Sequence, residues 1–99
     1  MSARLFQRRE LDHSAREQLI DKAFARYLDW RAESDAAASA YEMWSAAPRT
    51  EGALRFAAYS AALDREEHAA IIYRSLVDRI EIVSGEERLA GVPRRGVRA

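Results

Sequence analysis

The chain contains no cysteine, which excludes disulfide staples and thiolate metal sites and leaves the redox compartment open. Proline and glycine are nearly absent from its centre: over residues 14–84 they occur only at Pro48 and Gly52. No apolar run is long enough to span a bilayer. The start, MSARLFQRRELDH, carries charges where an export signal needs an apolar segment. Charge of one sign is missing too, since 16 basic residues balance 16 acidic ones, so the body is not an electrostatic binder of nucleic acid or membrane. There is no glycine-rich phosphate loop and no Gly-x-Ser-x-Gly elbow. These absences lead to the expectation of a non-enzymatic, cytoplasmic protein without a cofactor.

What is present is helical. Ninety-nine residues make one small domain. Lys22 is the single lysine among the basic residues, and that arginine bias, with abundant alanine, suggests a GC-rich bacterial genome. Ser14-Ala15-Arg16-Glu17 has the spacing of a capping box and suggests a helix start. From there Ile20, Phe24, Tyr27, Trp30, Ser34, Ala37, Tyr41 and Trp44 recur in steps of three and four, as on a heptad seam. After the corner, Phe56, Tyr59, Leu63, Glu66, Ala70, Tyr73, Val77 and Ile80 do the same. Pro48 should stop the first helix near Ala47, because proline lacks an N–H and disfavours helical geometry in the residue before it. Thr50 is the expected cap of the second helix, and Ser84-Gly85 its expected stop.

The expected organisation is therefore an N-terminal arm at 1–13, either a short amphipathic helix packed on the body or a frayed end, a helical hairpin at 14–84, and a flexible basic tail at 85–99 with a short helical turn around Glu86 to Leu89. The helices are expected over about 15–47 and 51–84. Folded antiparallel, the arms pair residues whose numbers sum to about 100. Trp44 then meets Phe56 beside Pro48 at the corner, Tyr41 meets Tyr59, Ala37 meets Leu63 or Ala62, and Tyr27 meets Tyr73. The fold class is all-α, a long antiparallel two-helix hairpin.

Glu66 interrupts the second seam, opposite Ser34 and near Arg31. A carboxylate there needs a partner. The three residues read as a polar layer in which an Arg31–Glu66 ion pair fixes register, with a functional carboxylate as the alternative. Each arm also carries a second apolar line: Leu19, Ala23, Trp30, Ala40 and Ala47 on the first, Leu54, Ala57, Ala61, Ile71 and Ile82 on the second. Left in water, that surface exceeds what a small monomer exposes. Two hairpins forming a four-helix bundle would cover it, so a homodimer is expected, or failing that a helical partner of similar shape. Leu19, Ala23, Trp30, Leu54, Ala57, Ala61, Ile71 and Ile82 are the expected partner surface.

Asp64, Glu67 and His68 are the metal candidates. Their spacing departs from the Glu-x-x-His of di-iron bundles, and an Asp64–His68 pair four apart is the ordinary surface arrangement. Nucleic acid could be contacted only through phosphates, by Arg94, Arg95 and Arg98 in the tail.

Two long helices, about a hundred residues and a tryptophan before the central turn resemble the WXG family of small proteins exported by type VII secretion. The matching residues are Trp44-Ser45-Ala46, with alanine in place of the family's glycine. Pro48 stands where that family has a glycine-rich link, and Tyr73 is followed four residues later by Val77 rather than an acid. The resemblance implies a secreted hairpin that needs a partner.

Overall fold

The computed structural model describes the backbone over residues 2–91 and side chains over residues 14–90. Two α-helices, α1 (Ser2–Ser45) and α2 (Gly52–Gly91), form an antiparallel hairpin, and no strand occurs among the described residues. At 1.5 Å per residue the helices are about 66 and 60 Å long, and the hairpin is correspondingly narrow, 73 × 34 × 13 Å.

α1 begins well before its expected start, and α2 runs past its expected end. Ser14 lies inside α1 rather than capping it. Residues 2–13 contain no proline or glycine, and an interior serine costs only about 0.5 kcal/mol of propensity. Gly85 likewise lies inside α2, and no glycine in the described chain has a positive φ. An interior glycine costs about 1 kcal/mol relative to alanine. Cross-arm contact helps to offset that cost: the Arg16 guanidinium donates to Glu87 at 2.9 Å, holding this end of α2 against α1. Residues 92–99, including the three tail arginines, lie outside the described residues. The pair is partly exposed, so Arg16→Ala should lower stability by at most about 1 kcal/mol. A urea melt followed at 222 nm measures this, and a larger loss would mean that α2 depends on the pair beyond Gly85.

The corner is built by Pro48. Ala46 donates to the Glu42 carbonyl and Ala47 to that of Trp44, each at 3.1 Å, as α1 runs out. Pro48 is extended (φ −66°, ψ 159°), which breaks the helix two residues before the expected Ala47 could close it. A single 3-10 turn, Arg49–Glu51, follows, closed by the Glu51 N–H on the Pro48 carbonyl at 2.9 Å. Thr50 sits within that turn, so α2 begins at Gly52 and not at a threonine cap.

Where the arms meet, the pairing rule holds at three aromatic levels. Trp44 and Phe56 have ring centroids 5.1 Å apart, Tyr41 and Tyr59 5.4 Å, and Tyr27 and Tyr73 5.7 Å. Trp44 also stacks on Tyr59, and Trp30 stacks nearly parallel on Tyr73. The result is two similar brackets, Tyr41–Trp44–Tyr59 and Tyr27–Trp30–Tyr73. Each residue lies fourteen positions, or two heptads, from its counterpart. Between the brackets the helices approach through Ala37 and Ala62, which are 4% and 1% exposed. Small side chains there let the backbones close in, while the brackets interlock on either side.

The candidate interaction face

Ala23, Ala37, Ala62 and Leu76 are the buried hydrophobic residues among those described, and none of the larger side chains is fully enclosed. The most enclosed contacts run along one line on each helix, with Tyr27 and Tyr41 meeting Tyr73 and Tyr59 beside it. On α1 that line is Arg16, Ala23, Trp30, Ala37 and Trp44, at intervals of seven. Ala23, expected on the partner surface, is on this line and is buried between the arms. Trp30 is also on it, half-buried and occupied with Tyr73. Leu19 is half-buried, whereas Leu54, Ala57, Ala61, Ile71 and Ile82 are exposed.

Glu33 and Ser34 flank the contact line at about 100° to one another, and they belong to different sides of the hairpin. On the Glu33 side, a groove of about 510 Å³ has a charged centre of Arg26, Asp29, Glu33, Asp64, Arg65 and His68. There Arg65 donates to Glu33 across the arms at 3.3 Å, and Arg26 to Asp29 along α1 at 3.5 Å. Of the metal candidates, Asp64 and His68 line this groove and Glu67 does not. Among the described residues no three histidine or acidic side chains converge to hold a metal.

The Ser34 side is different. A shallow groove of about 540 Å³ is lined by Ser34, Ala37, Ala38, Tyr41, Glu42, Tyr59, Leu63 and Glu66. Extending these rows by sevens adds Ile20 beyond Tyr41 and Ser34, Phe24 beyond Ala38, and Phe56 beyond Leu63. All are large and open: Phe24 is 62% exposed, Phe56 50% and Leu63 40%, with Ile20 and Tyr41 in the same range. The sequence placed these residues on the seam between the arms. Ile20, Phe24 and Leu63 lie instead along its edge, while Tyr41 and Phe56 meet Tyr59 and Trp44 across the arms and stay half exposed, because a two-helix contact is narrower than the apolar stripe.

The polar layer is rearranged as well. Ser34 and Glu66 share this groove, but Arg31 is exposed and makes no ion pair with Glu66. The expected pair is replaced by cross-arm bonds on other rows, Arg65 to Glu33 and Arg16 to Glu87. Arg31 stands one row farther from α2 than Ser34 and forms no ion pair with its own chain's Glu66.

Two long helices joined by a tight proline corner, with an open groove on either side, define an antiparallel helical hairpin. The chain matches no family model, and no curated protein or solved structure matches it either. Among the described residues no helix is long and apolar enough to cross a membrane.

Proposed function

We propose that this chain is a non-enzymatic helical interaction module that works as a cytoplasmic homodimer, two hairpins stacking into a four-helix bundle. The observation that carries this is the row of large side chains, Ile20, Phe24, Tyr41, Phe56 and Leu63, open along one side. The amount of surface agrees. The chain exposes 8415 Å², whereas a compact monomer of 11.2 kDa exposes roughly 5,700 Å². The excess, about 2,700 Å² per chain and so about 5,400 Å² for two chains, lies at the upper end of the range buried by obligate homodimers. A side whose inner rows are apolar apart from one polar layer is what a bundle interior requires; the opposite groove holds Arg26, Glu33, Asp64 and Arg65, with Leu54 and Ile82 exposed on that side of α2.

Light scattering over a dilution series, with circular dichroism on the same fractions, tests the proposal. The expected species is helical, has a mass of about 22 kDa, twice the 11.2 kDa chain, and persists on dilution. Phe24→Glu combined with Leu63→Glu is expected to raise the dimer dissociation constant at least about a hundredfold, as loss of central anchors does. Leu54→Glu combined with Ile82→Glu, on the other side, should leave it within about threefold. A poorly helical monomer near 11 kDa would replace the homodimer with a helical partner of similar shape, the arrangement implied by the WXG resemblance.

A further inference from the structure

We propose that Arg31 of one copy pairs with Glu66 of the other across the dimer interface, so that this layer sets the register of the bundle; the inference rests on the homodimer proposed above. Setting aside the outer row of Glu42, which carries Asp21 and Asp35, the rows of the open side between Ile20 and Tyr41 on α1 and between Phe56 and Ile80 on α2 carry two charged residues. These are Arg31 and Glu66. They are opposite in sign and stand at nearly the same height, since their numbers sum to 97 against the rule of about 100. Neither has a partner among the described residues, although cross-arm pairs form elsewhere.

Covering this side with a second copy removes Glu66 from water, which is costly for an unpaired carboxylate. A two-fold interface presents the same patch from both copies, so each Glu66 is met by a layer that contains an Arg31. Two opposite pairs result, and the inner rows of the layer are neutral. Slipping the copies by one heptad would set Arg31 and Glu66 against Phe24, Ala38, Tyr59 or Tyr73, leaving four buried charges without partners. The apolar rows tolerate such a slip because they repeat every seven residues. The charged layer does not. A partner lacking a base at this height would leave Glu66 stranded, and for that reason the layer favours a second copy of the chain over an unrelated hairpin.

The test is a charge swap between copies. Arg31→Glu alone and Glu66→Arg alone are each expected to weaken self-association at least tenfold, because like charges then face each other. An equimolar mixture of the two variants restores both pairs in a heterodimer, and its affinity is expected to return to within about threefold of wild type. Sedimentation or light scattering reads mass, and circular dichroism of the mixture reads recovered helicity if either variant alone unfolds. Were the pair formed within one chain, mixing would rescue nothing, and only the double swap in a single chain would; that result overturns the inference. A dimeric wild type whose single variants associate normally would also overturn it while leaving the homodimer standing. A monomeric wild type at high micromolar concentration removes the homodimer itself.

Discussion

Ala62→Asp is expected to abolish the cooperative unfolding transition and leave the chain largely unfolded at 25 °C. Ala62 is the most enclosed of the buried residues, at the level of the buried Ala37 on the other arm. A carboxylate there has neither room nor a partner, and an effective penalty of several kcal/mol is expected for the unpaired ion. Small domains have only about 5–15 kcal/mol of stability. This hairpin, which encloses three alanines and a leucine, has little reserve. Ala62→Ser, which adds a hydroxyl but no charge, should cost about 1 kcal/mol and retain the helical spectrum. Urea melts of the three proteins make the comparison. A wild-type transition for the aspartate variant would mean that the arms do not meet at the alanine layer.

The second large effect belongs to the corner. Trp44 lies between Phe56 and Tyr59 of α2 and contacts the edge of Tyr41 on its own helix, with centroid separations of 5.1 to 6.0 Å. Trp44→Ala removes all three ring contacts and leaves a void where the chain reverses. Tryptophan truncation in a full core costs about 3–5 kcal/mol, and aromatic pairs add about 0.5–1.5 kcal/mol each. Trp44 is only half-buried, so a loss of about 2–4 kcal/mol is expected. Trp44→Phe keeps a ring in place and should recover more than half of it. The near-UV dichroism should lose the contribution of the corner rings with the alanine variant, while that of Trp30 on Tyr73 remains, and should stay closer to wild type with phenylalanine. Equal stabilities for the two variants would show that the corner is held by Pro48 alone.

The legible parts of this fold were those governed by spacing along one helix. Trp44, Tyr41 and Tyr27 were paired with Phe56, Tyr59 and Tyr73 by arithmetic alone, because one proline corner leaves little freedom in how two uninterrupted helices align. The repeat of Tyr-x-x-Trp fourteen residues apart, at Tyr27–Trp30 and Tyr41–Trp44, was visible in the same rows and would have announced two equal brackets. Helix ends were less legible. Ser14 and Gly85 have the chemistry of a cap and a stop, yet each feature is worth about 1 kcal/mol. Helical propensity on both sides of Ser14, and the Arg16–Glu87 tie near Gly85, run against those signals.

The candidate face was legible as a composition and not as a direction. A period near 3.5 residues says that Ile20, Phe24, Tyr41 and Leu63 belong to an apolar stripe, but neighbouring rows differ by only about 50° in direction. Which row faces the other arm, and which is left open, depends on the angle at which the helices settle. That angle is set by Ala37 and Ala62 closing together and by Trp30 and Trp44 lying on Tyr73 and Tyr59. The same rotation moved Ala23 inside and carried Arg31 away from Glu66.

By itself, then, the amino-acid sequence determined an all-helical chain, one corner at Pro48 and the level at which each residue meets the opposite arm. Those properties follow from local propensity, from the missing proline N–H and from the length of a helical residue. Tertiary structure alone decided which edge of each apolar stripe is covered and where the ion pairs fall. These depend on how two cylinders roll against each other. A roll of one row, about 50°, leaves the spacing of every residue along its helix unchanged.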